Sequence, residues 1–239
     1  MKFPMWVSNV FYVSDRLRES IESFLKTIRS PSVFAADNLI TFGKSLHFLQ
    51  DGAFRQAFDA AQPGNLEFAL VWRKHVMCWA GQLALQVPGD YVEAGCDKGF
   101  SVQVLTNRLD FAALPRRYWL YDTFQGEHQD ADLFEQTKAR FASLSNVSVI
   151  SGTLPAALDK GPERVAFLHL DLNNADAEIG TLNRLWDRMP AGAVILVNDY
   201  GWAPYAEQTA RHAEWFGERG EAILELPTGQ GLIVKKAAG

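Results

Sequence analysis

The spacing of apolar residues along the chain changes near residue 88. Before that point, apolar residues recur at three- and four-residue steps, the period of an α-helix with one buried face. This pattern predicts helices over residues 17–28, 46–60 and 66–86, and no convincing strand. We expect residues 1–88 to form a helical cover that packs on a second domain at residues 89–239.

After residue 88, short apolar runs alternate with helical segments. The runs predict strands at residues 91–95, 118–122, 147–151, 165–171 and 194–197. The helices predicted between and after them lie at residues 100–109, 131–144, from about 154, 177–188 and 206–219. Such alternation produces a parallel sheet with helices on both faces, which binds ligands at the carboxyl ends of its strands.

The end of the chain departs from this alternation. Two further strands are predicted at residues 222–226 and 232–234, joined by a five-residue segment. A parallel connection needs a crossover of about a dozen residues or more, so these two strands must pair antiparallel. The sequence therefore predicts an α/β fold whose parallel sheet ends in an antiparallel hairpin.

Composition and charge narrow the class of protein. Lys and Arg number 23 and Asp and Glu number 28, which gives a net charge of −5. This mildly acidic balance argues against nucleic acid or an anionic membrane as a partner. No apolar run approaches the roughly 18 residues of a membrane-spanning helix, and Pro4, Ser8 and Asn9 interrupt the run that resembles a signal peptide. Because Cys78 and Cys96 cannot make a disulfide framework or a thiolate zinc site, we expect a cytoplasmic protein.

Two predicted strand ends carry residues suited to a nucleotide-like ligand. The first strand leads into a turn with Gly95 and Gly99, and the helix that follows points its amide groups at that turn. The second strand ends at Asp122, whose carboxylate can either accept hydrogen bonds from both ribose hydroxyls or cap a turn. The spacing of the two glycines departs from the three-glycine fingerprint of nicotinamide-binding proteins. A nicotinamide oxidoreductase is therefore the weaker alternative.

Oxygen-bearing side chains follow two further strands. Asp171 ends the fourth strand, and Asn198 and Asp199 follow the fifth. These hard ligands predict a magnesium site, unless they cap helices and hydrogen-bond a cofactor instead. His169 shares the side of the strand on which Asp171 lies, as a base or as a hydrogen-bonded structural histidine. Arg73 could reach a carboxylate, but we expect it to be solvated.

Four motifs occur in an order that is typical of one known class of protein. They are GDYVEAGCDKG at residues 89–99, YDTFQG at 121–126, LHLD at 168–171 and VNDYG at 197–201. With them the chain resembles the class I S-adenosylmethionine-dependent methyltransferases, and more narrowly the macrocin O-methyltransferase family, which methylates sugar hydroxyls. The resemblance implies a Rossmann-like, seven-stranded, mostly parallel sheet with an antiparallel last strand and helices on both faces.

The resemblance also implies roles for the matching residues. Those expected to contact S-adenosylmethionine are Glu93, Gly95, Cys96, Gly99, Asp122, Thr123, Phe124, Gly152, Thr153 and Asp171. The three acids that bind magnesium in metal-dependent sugar methyltransferases fall on Asp171, Asn198 and Asp199, so one of them is an asparagine here. The general base of the family falls on Asn173, whose amide cannot usefully accept a proton.

Deprotonation of an acceptor must therefore come from another group than Asn173. Asp171, His169 and Asn173 remain the predicted catalytic positions, and Asp176 and Glu178 lie close enough in sequence to reach the same cleft. Metal activation of the hydroxyl is the remaining route.

The resemblance as a whole predicts an enzyme with a small-molecule acceptor. We expect an S-adenosylmethionine-dependent O-methyltransferase that acts on a hydroxyl of a sugar or glycosylated small molecule, with magnesium as a second cofactor. The alternative is a non-catalytic S-adenosylmethionine-binding protein of the same fold. A homo-oligomer is expected because aromatic residues near the N-terminus need burial, namely Phe3, Trp6, Phe11 and Tyr12.

Overall fold

The computed structural model describes residues 14–27, 33–125 and 132–237. The N-terminal aromatic residues on which the predicted homo-oligomer depends lie outside these ranges, as do Ile28 and Ala131 at the ends of two predicted helices. Within the described ranges, no helix is both long enough and apolar enough to cross a membrane.

The N-terminal part contains the predicted helices, with interruptions. They are α1 (Asp15–Thr27), α2 (Gly52–Ala60), α3 (Asn65–Ala69) and α4 (Val71–Ala84). A 3-10 helix at His47–Gln50 precedes α2, and the carboxylate of Asp51 begins α2 by accepting hydrogen bonds from the amides of Ala53 and Phe54. The single helix predicted over residues 66–86 is divided at Leu70, whose φ of −90° and ψ of 15° lie outside the helical range.

A β-hairpin lies in this part, where we predicted only helices. Strand β1 (Val33–Ala36) pairs antiparallel with β2 (Leu39–Phe42), and Asp37 and Asn38 form the two-residue turn. Both turn residues have positive φ, 53° and 55°, which the short polar side chains of Asp and Asn tolerate. The prediction of an all-helical cover is therefore wrong at residues 33–42.

The second part is a seven-stranded sheet, as predicted. Its strands are β3 (Asp90–Ala94), β4 (Tyr118–Asp122), β5 (Val147–Ser151), β6 (Val165–Leu170), β7 (Val194–Val197), β8 (Leu224–Glu225) and β9 (Gly231–Val234). The order across the sheet is β5-β4-β3-β6-β7-β9-β8. Strands β3 to β7 are parallel, and the last strand β9 pairs antiparallel with both β7 and β8. The predicted mostly parallel sheet with an antiparallel last strand is confirmed.

The α-helices that connect these strands are shorter than predicted, except for α5, and a 3-10 helix at Ala156–Lys160 stands in place of the helix predicted from about residue 154. These α-helices are α5 (Phe100–Leu109), α6 (Leu133–Arg140), α7 (Ala175–Leu185) and α8 (Ala206–Gly217). Helix α4 packs on β6 and β7, and one apolar core includes both Met77 of α4 and Leu196 of β7. Because β3, β4, β5 and β6 are parallel neighbours in the sheet, their carboxyl ends lie side by side. Helix α4 packs against the same sheet.

Candidate active site

A cavity of about 580 Å³ lies at the carboxyl ends of β3, β4, β5 and β6. Its volume is within the range of about 300–1,000 Å³ that is usual for small-molecule sites. Among the residues that line it are seven of the predicted site residues, namely Gly95, Asp122, Thr123, Gly152, Thr153, Asp171 and Asn173. The topology thus brings together residues from four separate strand ends.

The carboxylate of Asp122 joins two walls of the cavity. One oxygen accepts a hydrogen bond from the amide of Phe124 at 2.8 Å, and the other accepts one from the amide of Asp97, also at 2.8 Å. The turn-capping role considered for Asp122 is therefore present. Each carboxylate oxygen has a second lone pair, so the same group can also accept hydrogen bonds from a ligand in the cavity.

At two glycines of the first motif, neighbouring protein atoms leave no room for a side chain. A Cβ on Gly95, which has a φ of 89°, would overlap the carbonyl oxygen of Asp171. A Cβ on Gly99 would lie 2.6 Å from the ring of Phe141. Gly95 therefore lets the turn after β3 approach the end of β6, whereas Gly99 packs against an aromatic ring and does not line the cavity.

Six more of the predicted site residues do not line the cavity, namely Glu93, Cys96, Phe124, His169, Asn198 and Asp199. Glu93 is 2% exposed, and its two oxygens contact the hydroxyl of Tyr118 at 2.9 Å and Nδ1 of His169 at 2.7 Å. Burial disfavours the imidazolium of His169, but the adjacent Glu93 carboxylate outweighs it and raises the pKa of the ring. This placement favours the structural role considered for His169 over direct contact with an acceptor.

Asp171 follows β6 directly and lines the cavity. Burial and the nearby Asp199 carboxylate raise the pKa of Asp171 to about 7, although the charge of His169 opposes the shift. The ammonium group of Lys74 also opposes it, and Lys74 donates a hydrogen bond to the Ser101 hydroxyl at 2.7 Å. Asp171 is thus a carboxyl group that can hold or release a proton near neutral pH.

The residues that follow Asp171 have distinct positions. Asn173 has a φ of 54° and faces the cavity. Asp176 is exposed and pairs with Arg211 at 3.0 Å, so it does not reach the cavity. Glu178 is 1% exposed and accepts a hydrogen bond from the amide of Leu172 at 3.0 Å, which fixes the loop that carries Asp171.

Arg73 occupies the region in which we predicted a magnesium site. Its guanidinium donates hydrogen bonds to both carboxylate oxygens of Asp37, at 2.6 and 3.1 Å. It also donates to Oδ1 of Asp199 at 2.7 Å and to the carbonyl oxygen of Asn198 at 3.2 Å. Arg73 is only 4% exposed, so the expectation that it would be solvated is wrong.

The residues present do not fit a divalent cation. Asp199 has one oxygen bound by Arg73, and its other oxygen accepts a hydrogen bond from the Asn198 amide at 3.3 Å. A metal ion on Asp199 would lie close to the guanidinium charge, in partly buried surroundings where repulsion is poorly screened. In the part of the chain that the structure describes, no three acidic, histidine or cysteine side chains form a metal-binding group.

Sequence reasoning missed Asp37 altogether and missed the burial of Arg73. Arg73 lies on the buried face of α4, at the helical spacing of the other buried residues on that face, which include Met77, Ala80 and Ala84. A charged residue at a helix position that periodicity predicts to be buried is a signal that it has a buried partner. That signal could have identified Arg73, but it could not have identified Asp37, which lies 36 residues earlier.

Comparison with known proteins agrees with this geometry. Residues 92–200 match a family described as a methyltransferase domain. No curated protein sequence matches the chain significantly.

Three solved structures illustrate the similarity of fold. The O-methyltransferase NovP is 18% identical, with 71% of this chain and 81% of that protein aligned at a TM-score of 0.59. CalS11, a TDP-rhamnose 3′-O-methyltransferase of calicheamicin biosynthesis, is 15% identical, with 81% and 96% aligned at a TM-score of 0.58. The S-adenosylhomocysteine-bound methyltransferase PaMTH1 of Podospora anserina is 11% identical, with 95% and 99% aligned at a TM-score of 0.55. Residues 92–200 are therefore similar to a methyltransferase domain, and the chain has the fold of these class I S-adenosylmethionine-dependent methyltransferases, as its motifs predicted.

Proposed function

We propose that this protein is an O-methyltransferase that acts on a hydroxyl of a sugar or glycosylated small molecule. The observation that carries the proposal is a single cavity lined by Asp122 at the end of β4 and by Asp171 at the end of β6. One carboxylate is suited to ribose hydroxyls and the other to an acceptor hydroxyl. The solved proteins NovP and CalS11 are described as O-methyltransferases, and CalS11 as one for TDP-rhamnose, which supports a sugar acceptor.

The cavity fits S-adenosylmethionine through groups on three strand ends. When bound, this cofactor supplies a methyl group on a sulfonium, which is a good leaving group. The Asp122 carboxylate would accept hydrogen bonds from the ribose, while Gly152 and Thr153 would border the adenine. The Gly95 turn, which lines the cavity and approaches the end of β6 closely, would border the methionine part.

Asp171 is the residue we assign to the acceptor hydroxyl. Asp171 lines the cavity, and its carboxylate would orient the hydroxyl and take up its proton. Asn173 would contribute an amide for hydrogen bonding, and Glu178 would position Asp171 through the loop amide of Leu172. We assign His169 to the orientation of Glu93 and the end of β6, because it lies behind the cavity wall.

Most of the rate enhancement would come from positioning, which brings the acceptor oxygen and the methyl group into line. The proposed reaction uses no magnesium ion, because the Arg73 guanidinium already binds Asp199, one of the two carboxylates predicted to hold the ion.

Calorimetric titration of S-adenosylhomocysteine into the full chain tests the cofactor assignment, with NAD as the control ligand. We expect binding at micromolar affinity or better and no heat from NAD. The function itself is tested by S-adenosylhomocysteine formation with nucleotide sugars as acceptors. Product formation would exclude the non-catalytic alternative, and failure to bind S-adenosylhomocysteine would contradict the methyltransferase proposal.

We also propose that the enzyme is cytoplasmic and forms a homo-oligomer. Cys78 and Cys96 are buried free thiols, which supports a reducing compartment such as the cytoplasm. Burial raises the pKa of Cys78 to about 12 and that of Cys96 well above its usual value, which argues against a nucleophilic role for either.

Light scattering at micromolar concentration tests the proposed homo-oligomer, and a monomer would contradict it.

A further inference from the structure

Three segments distant in sequence meet at the Arg73 guanidinium. Asp37 comes from the turn of the β1–β2 hairpin, Arg73 from α4, and Asp199 from the segment after β7. The ring of Trp202 lies 4.9 Å from the guanidinium carbon of Arg73, which adds a cation–π contact. Arg73 thereby fixes the end of β7 relative to the hairpin and to α4.

Two consecutive basic residues of α4 lie among the acidic groups at this end of the sheet. Arg73 binds Asp37 and Asp199 directly, with side chains that are 5%, 6% and 13% exposed. Lys74 is the next residue of α4 and interacts electrostatically with Asp171. A buried carboxylate pair requires a compensating positive charge, and here the protein supplies it from two consecutive residues of one helix.

We propose that Arg73 is the resident cation of this site, in the place of a divalent metal ion, and that methyl transfer by this protein is therefore metal-independent. The second clause rests on the proposed function, whereas the first concerns only the binding of cations. Arg73 is a positioning residue, because it does not line the cavity and acts through Asp199 and the end of β7.

A guanidinium differs from a magnesium ion in ways that matter for this site. Its planar donors bind two carboxylates and a backbone carbonyl at once, and it cannot exchange with solvent ions. Asn198 is consistent with this arrangement, since a neutral amide beside Asp199 avoids an additional negative charge that one guanidinium could not balance.

Binding of Mn²⁺ to the full chain, followed by electron paramagnetic resonance, tests the cation assignment without any need for catalysis. We expect wild-type protein to show no saturable Mn²⁺ binding up to low millimolar concentration. The Arg73→Met variant leaves Asp37 and Asp199 without their cation, and we expect it to gain one Mn²⁺ site and to be stabilised by Mn²⁺ in thermal unfolding. The matched control is Arg219→Met, which removes another arginine stacked on a tryptophan, Trp215, and should gain no site.

Each result decides the assignment. Saturable Mn²⁺ binding by wild-type protein would overturn it, as would a folded Arg73→Met variant that binds no Mn²⁺. If Arg73→Met does not fold, the wild-type titration decides, and Arg73→Lys, which retains the charge, should fold and still bind no Mn²⁺.

A parallel assay tests metal independence. S-adenosylhomocysteine formation should be the same in EDTA and in magnesium, whereas a loss of about tenfold or more in EDTA would contradict the proposal, because metal activation is worth several kcal/mol. Absence of S-adenosylhomocysteine binding would count against the proposed function alone and would leave the Mn²⁺ result to decide the cation assignment.

Discussion

The carboxylate of Asp122 holds the amide of Asp97 at 2.8 Å, so the end of β4 and the glycine turn after β3 form one continuous wall of the cavity. The same carboxylate also accepts a hydrogen bond from Phe124. A residue with two structural hydrogen bonds and a free lone pair on each oxygen can serve the fold and the ligand together. A substitution of Asp122 therefore has to be tested in a way that separates these two roles.

Replacing Asp122 by Ala should weaken S-adenosylhomocysteine binding by at least about tenfold, because a hydrogen bond to a charged group contributes about 1.5–3 kcal/mol. Calorimetry with S-adenosylhomocysteine and its 2′-deoxyribose analogue separates direct from structural effects. If Asp122 binds the ribose, wild-type protein should distinguish the two ligands and the Asp122→Ala variant should distinguish them much less. Equal discrimination by both proteins would remove the ribose assignment.

Replacing Asp171 by Asn should slow methyl transfer by about 10²–10⁴-fold, the range typical of a lost general base. Binding of S-adenosylhomocysteine should change far less, because the amide keeps the shape of the cavity wall. The matched control is Asp176→Asn, which alters an exposed acid five residues later and should leave the rate unchanged. Steady-state rates and calorimetric affinities of the two variants check this prediction, and equal rates would contradict the assignment of Asp171.

Strands could be predicted from the sequence where a run rich in apolar residues is followed by polar or glycine residues typical of turns. Strands β4, β5 and β7 have their predicted bounds to the residue. Strand β7 is apolar throughout, β4 is apolar or aromatic up to Asp122, and β5 contains three apolar residues and two serines. The β1–β2 hairpin was missed because a four-residue run by itself does not distinguish a strand from a helix, and these two runs, unlike β7, lie outside the alternation of strands and helices that begins near residue 90.

The cavity could be located from sequence, but its charge balance could not. A parallel sheet brings the carboxyl ends of its strands together, so the order of the strands was enough to assign Asp122 and Asp171 to one site. The partners of Arg73 lie 36 residues before it and 126 residues after it. No local pattern specifies contacts of that range, so the predicted magnesium site omitted the arginine that binds Asp199.

Asp51 should stabilise the protein through the first turn of α2. Its carboxylate accepts hydrogen bonds from the amides of Ala53 and Phe54, so Asp51→Ala should lower the free energy of unfolding by about 1 kcal/mol. The hydrogen bond from Phe54 lowers the pKa of this carboxyl in the folded state. The stabilisation is therefore present above the unfolded pKa of about 3.9 and lost as pH falls through the lower folded value.

Urea denaturation at two pH values measures this effect, with Asp51→Asn as the control that keeps an uncharged cap. The advantage of wild-type protein over Asp51→Asn should be present at neutral pH and shrink below about pH 4. An advantage that grows on acidification would contradict the sign of the pKa shift.

Gly95 should be far less tolerant of a side chain than another glycine with positive φ. Gly95→Ala would force a methyl group into the carbonyl oxygen of Asp171, whereas Gly43, at a φ of 64°, has no atom within 4 Å of an added Cβ. Gly43→Ala should cost only the backbone strain of about 1–2 kcal/mol. Gly95→Ala should cost more and should also weaken S-adenosylhomocysteine binding, because the turn must move away from the end of β6. Denaturation and calorimetry of the two variants test this, and equal destabilisation with unchanged affinity would show that close packing at Gly95 does not shape the cavity.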